Sequence, residues 1–314
     1  MGTPEDAVLR RGVLAVAVLD DVDLEPTVDG VLVPSPTGAA RVLVGWDRVG
    51  QAAAGLAPES AVARLRIATL LRTEALLADG LPGTDWAGRH VRALALPVGH
   101  PLHPGRGWAV EGVLGGVLDV GLGLVDLPWT ADGVLPLPPG AAAGRGTGTD
   151  LPAAWWPMAR DHARRMGALA AVRVGRGSGP DDAPGAGPDE APGARPAGTL
   201  RPVGGCDVLT LLATRPLRAA LAASDGSGMR AVAVPTRSRG WYDLRRVDPA
   251  FAGAVWSATE EPVRGLPRPL LVTRDEVALA RAGGDPAGEA LDLPPALRPG
   301  AGRERRPGRH RADG

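Results

Sequence analysis

The feature that most constrains how this 314-residue chain can fold is the stretch from Gly175 to Gly198. Twelve of its 24 residues are Gly or Pro and none is a large apolar residue, so burial cannot offset the entropy of ordering it. It is expected to be a disordered, Gly/Pro-rich insertion over residues 175–199. It separates an N-terminal α+β part, residues 8–174, from a C-terminal part, residues 200–284. The second part is short for an independent domain, so the two are expected to pack as one unit. Residues 285–314 form an Arg-rich tail that is also expected to be disordered.

Hydrophobic patterning predicts a strand-rich N-terminal part with one long helix. Gly12–Leu19 is a short, β-branched apolar run of the buried-strand kind. Gly30–Val33 and Arg41–Trp46 flank Pro34–Gly38, which suits a hairpin. Pro58–Asp79 reads as the long helix, with Pro58 in the first turn and Gly80 as a left-handed cap. Arg92–Val98 and two runs within Trp108–Leu127 return to the strand pattern, with Gly115-Gly116 as a turn and Gly112–Gly123 rich in glycines suited to close packing. A further helix is expected over Ala153–Val174.

Beyond the insertion, strands and helices alternate. Strands are expected at Val208–Ala213, Met229–Val234 and Arg268–Val272, and helices at Pro216–Ala223 and after Asp248-Pro249. Thr273–Glu276 has capping-box spacing, which announces another helix. The predicted fold class is therefore α+β, with mixed α/β character in the C-terminal part.

Composition removes several chemistries. The 35 basic residues are all Arg and balance 35 acidic ones, which makes nucleic acid an unexpected partner. Without Lys there is no Schiff-base enzyme and no Walker A loop in standard form. Without Asn there is no Cys-His-Asn triad. Cys206 is the only cysteine and reads as a buried thiol. The residue usage points to a GC-rich, bacterial genome. Arg10-Arg11 before Gly12–Leu19 imitates a signal peptide, but Asp20-Asp21 end the run without a cleavage site. Asp and Glu interrupt Trp108–Leu127, so no membrane span is expected and the predicted compartment is the cytoplasm.

Three constellations could carry chemistry. Asp20-Asp21-Val22-Asp23-Leu24-Glu25 follows the first predicted strand, and carboxylates at a strand end can hold Mg²⁺. Asp21 and Asp23 resemble motif one of the haloacid-dehalogenase-like phosphohydrolases, where a strand ends in Asp-x-Asp-Gly-Thr/Val. That resemblance implies a nucleophile at Asp21, an acid/base at Asp23 and a Mg²⁺ cofactor. Leu24-Glu25 replaces the family's Gly-Thr, and its Lys is missing. His100, His103 and Glu111 form a possible metal set on a proline-rich loop. Arg237, Arg239, Trp241 and Arg245 follow the strand Met229–Val234 and offer guanidinium forks beside a stacking surface. The leading expectation is a protein that binds an anionic small molecule or an acidic protein partner through this last set. A Mg²⁺-dependent phosphohydrolase is the alternative.

Overall fold

The structure, a computed structural model, describes residues 4–80, 82–105, 107–113, 116–130, 133–141, 151–176, 198–243, 247–275 and 277–279. The expected insertion (but for Gly175, Arg176, Gly198 and Thr199), the 285–314 tail and Arg245 lie outside those residues.

The first apolar run is helical rather than extended: α1 spans Pro4–Leu19. Val13 and Val16 are fully buried, whereas Leu14, Val18 and Leu19 face outward, so burial follows helical spacing. Tertiary packing overrides β-branched propensity here. Gly12 allows the close approach, since a Cβ there would lie 2.8 Å from the Pro58 carbonyl oxygen.

The predicted hairpin forms. Strands β1 (Glu25–Pro26), β2 (Gly30–Pro34) and β3 (Arg41–Gly45) make an antiparallel sheet in that order. Helix α2 (Trp46–Ala53) leads to α3 (Ala61–Ala78). The long helix starts later than Pro58 because Ser60 caps it, its side chain accepting the Ala63 N–H. Gly80 has the expected positive φ, +121°. On one side α3 packs Ile67, Leu70 and Leu71 with Val31, Val33 and Val44, and elsewhere Val62 packs with Leu94 and Leu96.

Helix α4 (Thr84–His90) runs into β4 (Val91–Pro97), every residue of which is buried. Ala93 and Ala95 face the largest core, and Leu94 and Leu96 face the core under α3. Strands β5 (Ala109–Val113), β6 (Leu118–Leu124) and β7 (Leu135–Pro136) complete an antiparallel sheet in which β4-β6-β5 are neighbours and β7 also pairs with β6. Two glycines of β6 give close approach on the face opposite the largest core. A Cβ at Gly121 would lie 2.6 Å from the Trp108 ring, and one at Gly123 would lie 2.5 Å from Val134.

Helix α5 (Leu151–Arg176) is followed by β8 (Thr199–Leu200), α6 (Val208–Leu212), α7 (Arg215–Ala223), β9 (Arg230–Thr236), β10 (Arg239–Trp241), α8 (Pro249–Ala258), β11 (Leu270–Val272) and β12 (Val277–Leu279). The run predicted as a strand at Val208–Ala213 is instead a helix, because the Asp207 carboxylate accepts the Thr210 N–H and caps it. Of the capping box at Thr273–Glu276, Glu276 lies outside the described residues, and Thr273–Asp275 are not helical. Val277 of β12 pairs antiparallel with Val272 of β11. The sheet order is β12-β11-β9-β10-β8 and every described pairing is antiparallel, so the alternation does not build parallel βαβ units. The fold is α+β. Its largest core joins Ala163, Ala170 and Val174 of α5 to Leu209, Leu212, Val232 and Val234. The edge of β4 is closed by the same union, as the Ala95 N–H donates to Thr210 Oγ1 at 2.9 Å.

Candidate functional site

The structure commits most of the residues grouped by the sequence pattern to the fold itself. Because α1 is a helix, Asp21 and Asp23 do not stand at the end of a sheet strand, and the phosphohydrolase motif lacks its frame. Both are exposed and flank the buried Val22, with Asp21 at φ +52°. Asp20 belongs to the fold: its carbonyl accepts from Arg72 and its carboxylate lies 3.7 Å from Arg64.

The two histidines are likewise committed to the protein. His100 is buried, accepts the Leu102 N–H at Nδ1, and donates from Nε2 to the Arg264 carbonyl. Burial, then the nearby Arg237 charge, pushes its pKa down to about 3, so the ring is neutral. His103 accepts the Gly105 N–H at Nδ1 and donates to Asp119 Oδ2 at 3.0 Å, while Glu111 reaches Arg160 at 3.8 Å. Among the described residues no group of three or more His, Cys, Asp or Glu is placed to hold a metal ion. Burial pushes the Cys206 thiol up to about 12.

Arg237 turns inward. Its Nε donates to Asp207 Oδ2 at 2.7 Å, and its terminal nitrogens donate to the Pro262 and Val134 carbonyls. Trp241 is also buried, edge-on to Phe251, and Arg239 lies outside it with its guanidinium 6.0 Å from the indole centroid. Arg237 and Trp241 are therefore parts of the core rather than the walls of a ligand site.

A different set of arginines meets at a cleft of about 590 Å³ between the β4-β6-β5 sheet, α5 and the start of α7. Ala93, Val113 and Val120 supply its apolar floor, Trp156 and Pro157 one wall, and Arg160, Arg164, Arg215 and Arg218 the charge. Among the described residues only two carboxylates, Glu111 and Asp161, share that lining. Arg160 and Arg164 stand one turn apart on α5 and are mostly exposed. Arg164 pairs with Asp161 at 3.1 Å, and Arg215 pairs with Asp275 at 3.2 Å. Arg218 is held by its Nη1, which donates to the Leu212 and Ala213 carbonyls, and its Nε is buried without an acceptor. Burial is the main cause lowering its pKa. Among the described residues Arg218 has no carboxylate within ion-pair distance.

Two backbone features sharpen this geometry. Thr214, which precedes α7, spends its hydroxyl on the Leu211 carbonyl, so its side chain does not cap the first turn of α7. The positive end of that helix thus opens beside the arginines. Gly167 lets α5 approach α7 closely, since a Cβ there would overlap Thr214 Oγ1. The sequence reading passed over these arginines. Their signal is a spacing of four on one predicted helix and of three at the start of another.

No family model, curated protein or solved structure matches the chain. Among the described residues no helix is long and apolar enough to cross a membrane.

Proposed function

We propose that this protein binds a small organic anion, in the cleft lined by Arg160, Arg164, Arg215 and Arg218. The observation that carries this reading is the gathering of four guanidiniums in a cavity of about 590 Å³, of which Arg218 has no carboxylate partner among the described residues. A cavity of that size falls in the range that holds metabolite-sized ligands, roughly 300–1,000 Å³. Its chemistry suits a dianion with a flat apolar body. The guanidiniums of α5 and α7 supply forked donors for a phosphate or a pair of carboxylates, and Trp156 with the apolar floor takes the body. Arg160 and Arg164 are exposed and their ion pairs with Glu111 and Asp161 are solvent-screened, so little is lost when they turn to a ligand.

The role assigned is binding, which the forked donors of the four lining arginines support. A thermal-shift series tests it with AMP as the organic dianion and adenosine as the uncharged control. AMP is expected to raise the melting temperature and adenosine to leave it unchanged. The Arg160→Ala, Arg164→Ala double variant is expected to fold normally and lose the AMP shift. Equal shifts from both compounds, or an AMP shift retained in the variant, would contradict the assignment.

A further inference from the structure

A second cleft, independent of the arginine cleft, lies where α2 and α3 meet the loops around residues 102–105 and 135–139. We propose that it binds a monocarboxylate with a compact apolar body, such as an aromatic acid. Its volume is about 230 Å³. An apolar cavity of about 150 Å³ is enough to hold benzene, so there is room for a ring and one carboxylate. Leu65 and Leu70 of α3 face Leu102, Leu135, Pro136 and Pro138 across it. The prolines and the helix make these walls rigid, which limits the entropy lost on binding.

The charge of the lining sets the ligand class. Arg66 projects from α3, with Nη1 donating to the Ala52 and Ala54 carbonyls and Nη2 to the His103 carbonyl at 2.8 Å. Three carbonyls hold the guanidinium in place, yet among the described residues no carboxylate lies within ion-pair distance of it. Its Nε is buried without an acceptor, which leaves the second Nη2 N–H as the donor for a ligand. Burial lowers its pKa, as it does for any cation held without a counter-ion. The other cation of the lining, Arg48, is already neutralised by Glu74 at 2.8 Å, a carboxylate only 2% exposed. Among the described residues no Asp or Glu lines the cleft, so one uncompensated positive charge remains there. One positive charge against apolar walls matches one carboxylate, whereas the dianions suited to the arginine cleft would carry a second charge into apolar surroundings.

Calorimetric titration of the full chain with benzoate, against benzamide as the uncharged isostere, tests this. Benzoate is expected to bind saturably and benzamide at least about tenfold more weakly. Arg66 also pins α2 to the loop, so its removal would confound binding with folding. Ala54→Phe, at an exposed lining position, fills the mouth instead and is expected to abolish benzoate binding at an unchanged melting temperature. Should Ala54→Phe melt early, Gln51→Phe at the exposed rim takes its place. The Arg160→Ala, Arg164→Ala variant is expected to keep benzoate binding, which separates this site from the arginine cleft. Absence of saturable benzoate binding, equal affinity for benzamide, or binding that survives the filling variant would each overturn the proposal.

Discussion

Arg237 shows how an arginine that looks available in sequence can be taken by the fold. Its guanidinium neutralises Asp207, and the other oxygen of Asp207 caps α6 through the Thr210 N–H. Removing Arg237 leaves that carboxylate almost buried and unpaired, so Arg237→Ala is expected to cost about 3–5 kcal/mol of stability. Arg239→Ala, at the exposed neighbour, is expected to change stability by no more than about 0.5 kcal/mol. Urea denaturation of the two variants measures both. Comparable small losses would show that Arg237 does not bear on the core.

His100 gives the fold a dependence on pH of known sign. Its buried ring is neutral in the folded state, with its pKa depressed from 6.5 to about 3 by burial first and the Arg237 charge second. The unfolded chain takes up a proton as pH falls below about 6.5, and the folded chain resists it until about pH 3. Stability is therefore fully present above the unfolded value and is lost as pH falls through this window, by about 2 kcal/mol from this residue at pH 5. Denaturation at pH 7 and pH 5 checks the loss against His100→Gln. The variant should lose less stability between those two values than the parent does.

At the scale of elements, β4 shows how a buried strand edge is satisfied by a residue distant in sequence. It is the edge strand of its sheet, yet all seven of its residues are buried, so its outward N–H groups need partners that are not water. The Ala95 N–H finds one in the hydroxyl of Thr210, more than a hundred residues away on α6. Thr210→Val keeps the shape and removes the acceptor, and is expected to cost about 1–3 kcal/mol in a chemical-denaturation experiment. A loss near zero would mean that another group satisfies the strand edge.

Elements with a local cause could be read from sequence. The β2–β3 hairpin, the Asp248 cap of α8 and the β5–β6 pair follow from turn and cap residues a few positions apart. Those that failed turn on a distant surface in one case and on an overlooked adjacent cap in the other. Whether Gly12–Leu19 is helix or strand is decided by the surface that buries Val13 and Val16, and Val208–Leu212 became a helix through a cap at Asp207 that its apolar run concealed. The alternation of the C-terminal part was visible, but strand direction was not. The two-residue turn between β9 and β10 makes them antiparallel neighbours.

For the molecule as a whole, a net charge of zero conceals an uneven distribution. Arg237, Arg48 and Arg230 have carboxylate partners, whereas Arg66 and Arg218 lie half-buried against backbone carbonyls and open onto clefts. The candidate site was not legible in the sequence because this contrast is set by tertiary contacts. Nothing local shows that Arg237 gains a carboxylate partner while Arg218 is held by backbone carbonyls. The anion-binding class read from the arginines stands as a proposal, moved from the β9–β10 turn to the space between α5, α7 and the β4-β6-β5 sheet.

The most direct measurement is a calorimetric titration of AMP into the parent protein and into the Arg160→Ala, Arg164→Ala variant at low and at physiological salt. An anion site formed by these exposed guanidiniums predicts saturable binding to the parent, weaker at the higher salt as the charges are screened, and loss of binding in a variant that melts normally. AMP binding of equal affinity in the two proteins, or none to the parent at low salt, would contradict it.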